Sequence, residues 1–78
     1  MDDLHTWYEV PLCQSDIVRL AKDLSRMSWT EMDRASGWSA SHLKAIAADP
    51  TTGCNAQLLL DVLSATGCSL AIGKIENQ

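Results

Sequence analysis

Few residues in this chain are of types that could do covalent or metal chemistry. Cys13, Cys54 and Cys68 are an odd number of thiols with no C-x-x-C pair. A zinc site needs four ligands, and His5 and His42, the other candidates, are not spaced as in a finger or knuckle. The cysteines therefore read as small buried hydrophobes of a reducing cytosol, with no metal site and no intrachain disulfide predicted. Ser28 and Ser39 lack a His–Asp pair to activate them and read as helix caps. There is no glycine-rich phosphate loop and no paired carboxylates in an apolar setting. No catalytic residue and no cofactor is predicted, and a chain this small would not enclose a conventional substrate pocket.

What remains is chemistry directed at phosphates and base edges. Net charge is −4, but it is unevenly spread. Between Arg19 and Ala47, five cations (Arg19, Lys22, Arg26, Arg34, Lys44) stand against three anions, leaving +2. The rest of the chain holds Lys74 against seven anions and carries −6. A locally basic face can bind phosphates on an acidic protein, although the overall field weakens the attraction. His42 reads as a surface or helix-flank residue, and Met27 and Met32 as core fillers.

The elements that would position these residues fit into one domain. Seventy-eight residues allow no second core, and a domain of this size has a thin stability margin. A dimer that extends the core would relieve it. No basic segment precedes a long apolar run, so neither a signal peptide nor a membrane span is predicted.

Residues 1–14 read as an N-terminal arm, with a short strand through His5–Val10 before Pro11. Ser15 and Asp16 then open a first helix, with Ile17, Leu20, Ala21, Leu24 and Met27 along one stripe. Ser28-Trp29-Thr30-Glu31 reads as a capping box at the start of a second helix, with Met32 and Ala35 inward. Ser36-Gly37 stops that helix, since glycine takes the left-handed conformation required there. Ser39 caps a third helix through Ala48, with Leu43, Ile46 and Ala47 buried. Asn55 caps a fourth, in which Ala56, Leu59, Leu60 and Leu63 make one apolar stripe and Leu58 and Val62 lie to one side. So wide an apolar face predicts a second covering surface. Gly67 ends the helix, and residues 68–72 alternate as a short strand whose partner is the N-terminal arm or a second subunit. Residues 74–78 read as a polar tail.

The predicted architecture is thus mostly α. It is a compact four-helix domain over residues 15–73 with a helix-turn-helix core from about Met27 to Ala47 and a short C-terminal strand. The turn makes the third helix stand proud, with Ala40, Ser41, Lys44 and Ala45 outward and His42 at the flank.

The run from Met27 to Ile46 resembles the helix-turn-helix core of the Cro/C1-type (XRE) family. It has an apolar residue, a small cap, an acidic turn, then Gly37, the hydrophobe Trp38, Ser39 and a helix ending in Ile46. Asn55 to Ile72, with Leu-Leu-Leu-Asp-Val-Leu-Ser-Ala-Thr-Gly before a strand, is similar to the tail of the addiction-module antidote (antitoxin) branch. The resemblance implies a cytoplasmic homodimeric transcription regulator, a phage-type repressor or an antitoxin, bound to operator DNA and in the second case to a cognate toxin. The third helix would enter the major groove of half-sites roughly 34 Å apart. It implies DNA contacts from Ser28, Trp29, Thr30, Arg34, Ser39, Ala40, Ser41, His42, Lys44 and Ala45.

The chain departs from that family pattern at Trp29, where members usually have Gln, and at Ala40 and Ala45, where long polar residues are common. Ser41 can read several bases, Ala can touch a thymine methyl, and Lys44 can reach guanine or phosphate. Trp38 reads as core or semi-core, and Trp29 as either packing on the first helix or a binding hot spot. The dimer interface is expected at Leu58, Val62, Leu70 and Ile72. An alternative reading makes the scaffold a protein-interaction module or small phage-type inhibitor without DNA binding, because aromatic residues anchor protein interfaces and a shortage of Arg is costly at DNA.

Overall fold

The computed structural model of the chain describes residues 6–9, 13–53, 55–71 and 74–77. Four helices, α1 (Gln14–Ser25), α2 (Trp29–Ser36), α3 (Ala40–Ala48) and α4 (Ala56–Thr66), lie between β1 (Thr6–Glu9) and the strands β2 (Cys68–Ala71) and β3 (Lys74–Asn77). The fold is mostly helical, as the sequence predicts.

Three of the four helix starts are made by the predicted caps. Ser28 and Glu31 form the reciprocal capping box: the Glu31 amide donates to Ser28 Oγ at 3.1 Å and the Ser28 amide to Glu31 Oε1 at 2.8 Å. Ser39 Oγ accepts from the His42 amide at 3.1 Å, and Asn55 Oδ1 accepts from the Leu58 amide at 2.8 Å. Helix α1 differs. It begins at Gln14, with Cys13 at the cap position and no side-chain cap bond. Ser15 is buried within the first turn, where its hydroxyl lies 3.3 Å from Cys13 Sγ, so it cannot cap.

The end of α1 also falls earlier than the apolar stripe implies. Ser25 Oγ donates to the Lys22 carbonyl and accepts from the Met27 amide, turning the chain out of the helix. Arg26 takes the left-handed conformation (φ 59°) at the C-cap, which costs a residue with a Cβ roughly 1–2 kcal/mol. Gly37 (φ 82°) fills the same role after α2 without that cost. Ala35, expected inward, is exposed, because the eight-residue α2 turns only Met32 fully into the core.

The core gathers Ile17, Val18 and Ala21 of α1, Met32 of α2, Leu43, Ile46 and Ala47 of α3, and Leu58, Val62 and Leu63 of α4. Helix α1 packs on α3 and α4, α2 on α3 and α4, and β3 lies against α1. Cys68 and Ile75 close the core from the sheet.

Residues 74–77 are no tail. β3 is the middle strand of a three-stranded antiparallel sheet in the order β1-β3-β2. Ile75 is wholly buried and pairs with Tyr8 on one side and Leu70 on the other. One apolar residue among polar ones suffices, because a strand presents alternate residues to opposite faces. The outer register sets Trp7 and Ser69 against Glu76, and Ser69 Oγ donates to Glu76 Oε1 at 2.7 Å.

The face of α4 turned to the core also differs from expectation. Leu58 and Val62, assigned above to a dimer interface, are wholly buried inside the protomer with Leu63 and Thr66. Ala56 and Leu60 of the predicted stripe are exposed instead. Thr66 enters the core by donating its hydroxyl to the Val62 carbonyl at 2.8 Å, which removes the penalty for a buried polar group. Of the other two expected interface residues, Leu70 is exposed and Ile72 lies outside the described residues.

Candidate nucleic-acid interface

The site is built on the turn between α2 and α3. Gly37 takes the chain out of α2, and its amide bonds the Asp33 carbonyl at 2.9 Å. Ser36 Oγ accepts from the Trp38 amide at 3.2 Å, holding the next residue in the turn. The Asp33 carboxylate then reaches across to accept from the Ala40 amide at 2.9 Å. Two of the orphan amides at the start of α3, those of Ala40 and His42, thus have side-chain partners contributed by α2 and the turn. Such bonds fix the angle between two short helices more firmly than packing alone would.

With the turn so held, burial sorts α3 cleanly. Leu43, Ile46 and Ala47 are buried, Ser41, Lys44 and Ala45 are exposed, and Ala40 and His42 are half-buried. Helix α2 exposes Thr30 and Arg34 beside the exposed caps Ser28 and Ser39. Seven of the ten residues predicted to contact DNA are thus exposed on the α2-turn-α3 unit, and Trp29, Ala40 and His42 are half-buried there. Arg34 and Lys44 make no ion pair among the described residues, whereas Arg19 is tied to Asp16 at 2.6 Å. Unpaired cations keep their charge for a ligand, so Arg34 and Lys44 are the stronger candidates for phosphate contact.

Both tryptophans of the motif are half-buried and pack on the core. Trp29 carries the Lys22 ammonium over its ring, 5.1 Å from the centroid, a cation–π contact that also draws Lys22 toward the start of α2. Its packing follows the first of the two readings above, although part of the ring stays accessible. Trp38 donates its Nε1–H to Asp61 Oδ2 at 2.8 Å and lies against His42, with ring centroids 6.0 Å apart and planes inclined by 28°.

Two carboxylates in this region titrate low for local reasons. Bonds from the Ser28 amide and hydroxyl hold Glu31 below the usual Glu range, and the charge of Arg34 acts in the same direction. Asp61 is held below the usual Asp range by the Trp38 indole first and the Gln57 amide second. Both therefore remain anionic at neutral pH.

Sequence reasoning missed Asp33 and Asp61 as site residues. Asp33 was legible in principle: an acid seven residues before a helix start, across a Gly turn, can reach an orphan amide. Asp61 announced itself only as the one charge in Leu-Leu-Leu-Asp-Val-Leu.

A second surface lies apart from the turn. An open apolar groove of about 590 Å³ runs between α4 and β2, lined by Leu59, Leu60, Leu63 and Leu70 among others. Leu60 and Leu70 stand at 59% and 44% exposure, large values for leucine in a chain this small. Among the described residues, none that lines the groove is charged.

No family model, curated protein or solved structure matches the chain. Among the described residues, no helix is long and apolar enough to cross a membrane and no group of His, Cys, Asp and Glu could hold a metal ion.

Proposed function

We propose that this chain is a sequence-specific DNA-binding transcription regulator of the repressor or antitoxin type, acting in the cytoplasm as a homodimer on operator DNA. The observation that carries the reading is the braced turn. Asp33, Ser36 and Ser39 hold α3 by its first turn and leave Ser41, Lys44 and Ala45 outward, the geometry in which a recognition helix offers its N-terminal half to a major groove. Arg34 and Lys44, which make no ion pair among the described residues, supply cations for the backbone. Base discrimination falls to Ser41, His42 and the methyl groups of Ala40 and Ala45.

The homodimer draws support from the α4–β2 groove. An isologous contact needs the same patch on both subunits, and exposed Leu60 and Leu70 beside an apolar hollow provide both a projection and a recess. The described residues that line the groove are uncharged, so two acidic chains could meet on them without like-charge contact.

That groove also favours a second reading, in which the scaffold binds another protein, as a small inhibitor or adaptor, and not DNA. Selection from a pool of random duplexes at about 50 and 200 mM salt separates the two. Enrichment of a two-fold-symmetric sequence with a steep salt slope supports the regulator. No retention at either salt supports the protein-binding reading.

A further inference from the structure

A chain of three contacts runs from α4 to the first turn of α3. Asp61 accepts at both oxygens, from Trp38 Nε1 at 2.8 Å and from Gln57 Nε2 at 2.9 Å. The indole thus held is stacked on the imidazole of His42, 6.0 Å away between centroids. A half-buried indole that satisfies its N–H with a carboxylate has one favoured ring orientation, because rotating the ring would break a charge-assisted bond. Gln57, one turn earlier on α4, fixes the carboxylate in the same way.

The consequence falls on His42. It is the third residue of α3, on the turn of a recognition helix that meets base edges, and imidazole can both donate to and accept from them. A ring already stacked on a fixed indole loses little rotamer freedom when it meets DNA. We propose that Asp61 is a positioning residue for DNA readout: acting through Trp38, it presets the His42 imidazole that reads a base edge. This rests on the regulator reading above and adds to it a specificity determinant on a different helix from the one that enters the groove.

The test combines NMR of the His42 imidazole with a binding cycle on the duplex enriched by selection. The variants are Asp61→Leu, which deletes the acceptor, Asp61→Asn, which keeps one, and His42→Ala. In the parent and in Asp61→Asn, the imidazole protons should be displaced upfield by the indole ring; in Asp61→Leu, with its helical circular dichroism retained, that displacement should vanish. Asp61→Leu should weaken the enriched duplex by about tenfold yet leave affinity for random duplex at low salt within about twofold. In the His42→Ala background, Asp61→Leu should cost less than about twofold, since the two act in series. A displacement that persists in Asp61→Leu overturns the positioning, and additive losses in the cycle overturn the route through His42. A parent protein that retains no duplex removes the regulator reading and the readout role with it. The imidazole resonances decide separately whether Asp61 sets His42.

Discussion

The carboxylate of Asp33 accepts a hydrogen bond from the backbone amide of Ala40 at 2.9 Å, joining the body of α2 to the first residue of α3 across a turn of three residues. Neither helix is long enough to be stable alone. The bond therefore sets the direction of α3 as well as capping it.

Asp33→Ala should lower stability by about 1–2 kcal/mol, the range for a bond to a charged acceptor that is only half-buried. Asp33→Asn, which keeps an acceptor, should lose less than half as much. Urea unfolding followed by circular dichroism reads both. Equal losses would show that the charge matters and the bond does not.

At the start of α2 the capping box is reciprocal, so Ser28→Ala removes an acceptor and loosens Glu31 together. About 1 kcal/mol of destabilisation is expected. A midpoint unchanged in urea would mean that solvent replaces the cap.

Arg26 stands in the left-handed conformation that glycine adopts freely at Gly37 and Gly67. Arg26→Gly should raise stability by up to about 1 kcal/mol, with the relief of Cβ strain partly offset by greater freedom in the unfolded chain. Thermal unfolding checks the sign, and a lower midpoint would contradict it.

Glu31, Asp49 and Asp61 all titrate below their ordinary values in the folded chain. A depressed folded value means that stability is fully present above the unfolded pKa and is lost as pH falls through the folded one. With ordinary values near 4.5 for Glu and 3.8 for Asp, the urea midpoint should be flat from neutrality to about pH 5 and decline below it. Glu31→Gln should shrink the decline. A midpoint that rises on acidification would contradict these assignments.

Much of the fold was legible in the sequence because its signals are local. The Ser28 box, Ser39, Asn55, Gly37 and Gly67 each act within four residues, and each marks the helix end it predicts. Errors arose where tertiary context decides. Ser15 has the right type for a cap but lies inside the first turn, with Cys13 before it. Helix α4 is apolar over more than half its circumference, so periodicity alone does not choose between Leu58 and Val62 or Ala56 and Leu60 as the inward set. The position of Asp61, held by Trp38, accompanies the observed choice. β3 reads as a tail in sequence because one buried isoleucine between charged residues is too short a pattern to recognise without its partners. For the candidate site, the outward residues of α3 followed from helical periodicity. The braces at Asp33 and Asp61 span seven and twenty-three residues and did not.

The corrected face of α4 moves the expected subunit contact to Leu60 and Leu70. Leu60→Asp and Leu70→Asp should each leave the helical content of the protomer intact and reduce the mass in solution from dimer to monomer. Leu58→Asp should unfold it, since a charge would lie wholly buried. A mass unchanged by both surface substitutions would show that the groove is not the contact between copies.

Duplex binding by the surface of α3, the core of the proposed function, is read out by affinity measured against salt. The parent protein should bind the duplex enriched by selection with an affinity that falls steeply between about 50 and 200 mM salt. Arg34→Ala and Lys44→Ala should each weaken binding, and a residue that contacts phosphate should reduce the salt slope by about one. Binding and slope unchanged in both variants would rule out α3 as the DNA-binding surface, because Arg34 and Lys44 would then contribute nothing.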